Sequence, residues 1–199
     1  MKSNTWLALA LVLVCAIPSF AQEQQQKMSP EEQKQMDAWQ KFMTPSEGHK
    51  ALDHMIGTFD AKVTMWMAPG APSTTSNGTS VNQWVLGNRY VQENFSGTFM
   101  GMPFQGIGYT GYDNAKKQYV GTWIDNFGTG VMTSTGTSSD NGKTYTFKST
   151  NTDPMTGKDM AGESKITVGD ADHHTMEMWG PAPDGKMFKM MTIEYSRKK

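Results

Sequence analysis

From Gly57 onward the chain never runs far without a turn. Gly87-Asn88, Asp113-Asn114, Asn126-Phe127-Gly128, Asp140-Asn141-Gly142, Asp153–Gly157 and Pro183-Asp184-Gly185 separate short segments rich in β-branched and aromatic residues. Glycine supplies left-handed backbone at such positions, and Asn and Asp tolerate it. Segments this short suit strands. The strands expected are Thr58–Met67, Gly78–Leu86, Tyr90–Gly97, Phe104–Gly111, Gln118–Asp125, Thr129–Gly136, Lys143–Thr150, Ser164–Val168, Thr175–Trp179 and Met187–Tyr195, with Ala68–Asn77 a loop. Sequential strands joined by tight turns form an antiparallel meander, and closing about ten of them into a barrel removes the sheet edges.

The hairpin Phe104–Asp125 is the clearest unit. Its first strand carries Gly106, Gly108 and Gly111, which suits bending or close backbone approach. Gly106–Gly111 also matches the dinucleotide pattern GxGxxG. That pattern works only where it opens a helix. Here a turn and another strand follow, so dinucleotide binding is not expected. On the return strand, period-2 alternation puts Tyr119, Gly121, Trp123 and Asp125 on one face.

Helix signals are confined to the region before Gly57. Ser29-Pro30-Glu31-Glu32 offers an N-cap, a proline at the first helical position and a capping-box glutamate. It predicts a helix to about Met43, with Met36, Trp39, Gln40 and Met43 on one face. Thr44-Pro45-Ser46-Glu47 repeats the signature and predicts a second short helix over Pro45–Met55. Leu52, Met55 and Ile56 should turn inward.

The first 21 residues read as a signal peptide, with Lys2, an apolar run Trp6–Ile17 too short to span a membrane, and Ser19-Phe20-Ala21 before the cleavage site. A lipoprotein site at Cys15 would want a small residue where Val14 stands. Residues 22–28 form a polar linker, 29–56 the helices and 57–199 the barrel domain. The single cysteine, Cys15, leaves with the signal, so no disulfide holds the mature domain. A periplasmic or secreted location is expected. The formal net charge is −1 and no basic stripe is present, which argues against nucleic acid as a partner. Membrane insertion is not expected either, and oligomeric state is not legible.

Several stretches together resemble one bacterial family, domain of unknown function 1579. They are Gly57-Thr58-Phe59, Trp84–Tyr90, Gly108–Asp113, Thr122–Asp125, Asp153-Pro154-x-Thr156-Gly157-Lys158 and Tyr195-Ser196-Arg197. The resemblance covers about Ser46 to Lys199. It implies a calycin-like barrel, similar to lipocalins and fatty-acid-binding proteins. Calycins open the first strand with Gly-x-Trp and pack a basic residue of the last strand over that tryptophan. Here Phe59 and Arg197 take those places. The fold class is therefore all-β: an antiparallel calycin-like barrel of about ten strands behind two short N-terminal helices.

Polar groups inside strands are the candidate ligand-binding residues: Trp123, Asp125, Trp84, Arg89, Glu93, Tyr109 and Glu177. In a barrel with a lumen, aromatic walls and a few placed polar groups make a small-molecule site. The alternative is that these groups lie outside or form structural pairs, such as Arg89 with Glu93 or Asp125. Among metal-capable residues, His173, His174, Met176 and Met178 are the weak candidates, since imidazole and thioether suit copper. Against that, methionine is an adaptable core filler, and His173 and His174 beside Asp170 and Asp172 would sit in an exposed turn. No nucleophile constellation appears, and no cofactor is expected. The function expected is binding of a small, largely apolar molecule in the barrel. The alternatives are a copper or carboxylate-based site, or an envelope interaction protein using the first helix.

Overall fold

The structure is a computed structural model and describes residues 28–140 and 142–199. The expected signal peptide and nearly all of the linker lie outside the described residues. Ten strands form one closed antiparallel barrel: β1 (Gly57–Met65), β2 (Thr74–Val85), β3 (Tyr90–Phe99), β4 (Met102–Asp113), β5 (Gln118–Asp125), β6 (Met132–Thr137), β7 (Thr144–Thr152), β8 (Asp159–Val168), β9 (His173–Pro181) and β10 (Met187–Arg197). Each strand pairs with its sequence neighbours, and β1 closes the ring against β10, with Phe59 opposite Arg197. The expected meander is thus observed. Several boundaries differ, and β8 begins at Asp159 rather than Ser164. Residues 74–77, expected in a loop, pair with β1, and β9 begins at His173 rather than Thr175.

The N-terminal region holds one full helix, α1 (Pro30–Met43), with the Ser29/Glu32 capping box formed. It buries no residue, and Trp39 and Met43 stay at least half exposed. The second predicted helix does not form as one piece. It breaks into a four-residue helix α2 (Glu47–Lys50) and a 3-10 turn at Asp53–Met55. Packing, not helix continuity, decides this segment. Leu52 is fully buried, Met55 nearly so, and Ile56 packs beside them, as the inward pattern predicts.

This segment plugs one end of the barrel. Leu52 and Met55 pack with Val91, Tyr119, Tyr145 and Phe147. The Tyr145 hydroxyl donates to Ala51 O at 2.6 Å, and Trp84 Nε1 donates to Asp53 Oδ1 at 2.9 Å. Arg197 ties the plug to the last strand. Its guanidinium donates to Ile56 O (2.6 Å) and His54 O (3.1 Å) and lies 4.6 Å over the Phe59 ring. A second core fills the barrel beyond the plug, built from Phe59, Ala61, Val63, Phe95, Ile193 and Tyr195.

Candidate functional site

Alternation along β3, β4 and β5 builds one wall of the interior. Glu93, Gly108 and Trp123 sit side by side, with Glu93 opposite Gly108 and Gly108 opposite Trp123. The glycines of β4 make the room: a Cβ on Gly106 would collide with the Trp123 indole, and one on Gly108 would lie 3.1 Å from its Cε3. The glycine row is therefore the bed of Trp123. The indole also stacks on Phe104, at 6.4 Å between centroids. β2 supplies Ser80 and Asn82, β9 supplies His174, Met176 and Met178, and β10 supplies Tyr195.

All of these but Ser80, Phe104 and Gly106 line an interior cavity of about 100 Å³, together with Met55, Thr110, Met132, Ser134, Ser149 and Ser164. A larger depression of about 530 Å³ lies over the outer face of β6 to β9, among Thr135, Thr146, Lys148 and Lys165. The interior cavity is the candidate site, because the buried polar side chains of Asn82, Ser164 and His174 converge there with Glu93.

Glu93 has no cation near it in this cavity. Burial pushes its carboxyl above the usual carboxylate range, opposed by the Ser80 and Tyr195 hydroxyls. Hydrogen-bond geometry gives the same answer independently. Ser80 Oγ lies 2.7 Å from both Asn82 Oδ1 and Glu93 Oε1, yet a serine has one hydrogen. A protonated Glu93 resolves the conflict. It donates to Ser80, Ser80 donates to Asn82, and Asn82 Nδ2 donates to Met55 O at 2.9 Å. The Tyr195 hydroxyl reaches Oε1 at 3.4 Å, which is long for a hydroxyl donor. Oε2 accepts no hydrogen bond from the described residues. Glu93 is half-buried and lines the cavity.

His174 faces the same space. Its ring stacks on Tyr195 at 4.4 Å and meets Phe59 edge-on at 4.8 Å. Burial, with His54 and Arg197 adding to it, lowers its pKa to about 4, so the imidazole is neutral at neutral pH. His54 stands 6.2 Å away. Its Nδ1 bonds Ala51 O at 2.9 Å, and its buried Nε2 has no partner among the described residues.

The sequence candidates divide. Trp123 and Glu93 line the cavity. Asp125 shares the inward face but is committed: Oδ2 accepts from Trp123 Nε1 and Oδ1 from Phe127 N, both at 2.9 Å. It positions the indole. Trp84 belongs to the plug. Arg89 pairs with neither Glu93 nor Asp125. It sits in the exposed β2–β3 turn and donates to Leu86 O, Gly87 O and, with Nη2, to Met43 O at the end of α1. Tyr109 is outside and exposed, and Glu177 is outside and paired with Lys189 at 2.9 Å. His173 points outward to Asp170, but His174 is not in an exposed turn. It is a buried strand residue on the face of Met176 and Met178. Among the described residues no three His, Cys, Asp or Glu side chains converge as a metal site. Ser80, Asn82 and Tyr195 were not singled out from the sequence. Counting back by twos from Met178 would have found His174, and counting back from Arg197 would have found Tyr195.

Among solved structures, the crystal structure of Rv2717c from M. tuberculosis is similar at 14% identity and a TM-score of 0.60, covering 78% of this chain and all of that one. A redesigned β-barrel is 16% identical with a TM-score of 0.41, over 78% of this chain and 99% of that one. No curated protein matches the sequence. The first of these likenesses shows the fold alone. The family described as "Protein of unknown function (DUF1579)" matches residues 44–197, all ten strands and the plug, and the chain belongs to that family.

Proposed function

We propose that the protein is exported and holds a small, largely apolar molecule inside the barrel. One observation carries this reading: the interior keeps a cavity lined by Glu93 and His174, where Glu93 Oε2 and the His174 ring take no hydrogen bond from the described residues. Polar atoms that open on such a cavity are free to pair with a ligand. The walls from Trp123, Phe147, Ile166, Met176 and Met178 supply the apolar contact. The outward faces of β1, β8, β9 and β10 carry charges such as Lys62, Glu163, Glu177 and Glu194, which suits a barrel in water. Arg197 over Phe59 supports a calycin-like assignment. The cavity sets the size. At about 100 Å³ it falls short of the roughly 150 Å³ that takes benzene, so the ligand has only a few heavy atoms. A long-chain lipid does not fit.

Native mass spectrometry of protein purified from the envelope, with a panel of small molecules added, tests this. Retention of a ligand that Ser164→Leu abolishes is expected, because the larger side chain fills the cavity. Equal retention by the filled variant overturns the site.

A second reading rests on the same face of β9. His174, Met176 and Met178 all line the cavity with Met55 and Met132, and neutral imidazole with thioethers suits Cu(I). Anaerobic Cu(I) titration against a chromophoric chelator tests it. Undiminished affinity in His174→Phe removes this reading.

A further inference from the structure

We propose that the cavity takes a small primary amine, held as an ammonium ion against an ionised Glu93. This rests on the cavity being a ligand site and names the chemical class of its occupant. Three observations point there. Glu93 is the only carboxyl among the residues lining the cavity, and no Lys or Arg lines it with them. Its Oε1 is occupied by Ser80 and Tyr195, while Oε2 is open to the cavity. Trp123, its indole seated over Gly106 and Gly108, lines the same cavity, and an aromatic ring attracts cations. An ammonium group brings three N–H donors. Oε2 accepts one, and the hydroxyls of Thr110, Ser134, Ser149 and Ser164 are the further acceptors in the lining. The methionine side chains leave room for a short alkyl tail.

The proton balance is explicit. Without ligand, Glu93 carries a proton. An amine entering as the free base takes that proton: the Glu93 O–H bond breaks, an N–H bond forms, and the product is a carboxylate–ammonium pair. Because a simple alkylamine is already protonated in neutral water, the net reaction from solution releases one proton per amine bound. The titratable groups facing Glu93 are Tyr195 from β10 and His174 from β9. β2 contributes Ser80 and Asn82, β4 Thr110 and β5 Trp123, none of which titrates in this range.

The experiment compares n-propylammonium with its neutral near-isostere propan-1-ol by calorimetry at pH 7, in two buffers of different ionisation enthalpy. Ammonium should bind at least tenfold more tightly and release about one proton, seen as a buffer-dependent heat. Glu93→Gln, which keeps the shape, should lose both the preference and the proton release while still binding the alcohol. Should that variant not fold, the isostere comparison on the native protein decides alone. Equal affinity for alcohol and ammonium, or an ammonium preference kept in Glu93→Gln, overturns the amine proposal and leaves the cavity reading standing. Binding of neither probe overturns both.

Discussion

The two halves of the barrel interior treat their polar groups in opposite ways. At the plugged end, three polar side chains bond the segment that closes it, while the buried Nε2 of His54 within that segment has no partner among the described residues. Tyr145 bonds Ala51, Trp84 bonds Asp53 and Asn82 bonds Met55. A few residues deeper, Glu93 Oε2 and His174 face a cavity and take no partner from the protein. The wall material is similar in both halves, aromatic rings and methionine. What differs is whether a chain segment enters to satisfy the donors and acceptors. Where residues 47–56 enter, the interior is core. Where they stop, it is a site.

Leu52→Ala attacks the plugged half at its best-packed point and should have the largest effect. Loss of a fully buried leucine costs about 3–4 kcal/mol, read in urea unfolding. A loss under about 1 kcal/mol would show that the plug is not core and would break the contrast.

The next effect is a pH dependence from the cavity half. The folded pKa of His174, about 4, lies below its unfolded value of 6.5. Its contribution is therefore present above pH 6.5 and is lost as the pH falls toward 4. The ceiling is about 3 kcal/mol over that window. In His174→Phe the acid loss of stability should be shallower, with the remainder belonging to His54 and His49, whose pKa values burial also lowers. An unchanged acid limb would remove His174 from the account.

Tyr145→Phe deletes one hydroxyl and leaves Ala51 O with His54 Nδ1 as its remaining partner, for a loss of about 1 kcal/mol. Amide exchange in residues 51–56 should rise with it, and an unchanged exchange rate would count against the hydroxyl as the tie.

The smallest change separates the halves most cleanly. Glu93 has a raised pKa, so its contribution is full below the unfolded value of 4.5 and lost as the pH rises toward the folded one. Glu93→Gln should keep or gain stability above pH 7, where the wild type carries this burden. Conversely, a marked loss at pH 8 would show Glu93 to be a structural partner like Asn82, and the two halves would no longer differ.

Period-2 alternation made much of this legible. Trp123 and Asp125 fall on one face by counting, and the structure keeps them bonded to each other. The same counting, carried through, also disposes of two candidates: Tyr109 alternates with Gly108, and Glu177 with Met176 and Met178, so both must face out. Glu93 was visible only as a charge in a strand, because its chemistry depends on Ser80 from the neighbouring β2 and Tyr195 from β10. His174 was masked by Asp170 and Asp172, which give its neighbourhood the composition of a turn. The second helix misled for another reason. Thr44, its expected N-cap, instead ends α1 as the C-cap, a helix starts only at Glu47, and Leu52 and Met55 reach the core with a 3-10 turn in place of a continuous helix.

Arg197 has a consequence for the order of assembly. It stands two residues from the end of the chain, yet it clamps the carbonyls of His54 and Ile56 and covers Phe59. The closing seam between β1 and β10 joins the most distant strands in the sequence, and contacts at such separation form slowly. The ring cannot be sealed until the final strand is available. Until then β1 offers an unpaired edge, and the plug lacks its clasp. Without β10, nine strands would remain, but the second core would lose Ile193 and Tyr195 and the sheet would lose the joint that makes a barrel of it.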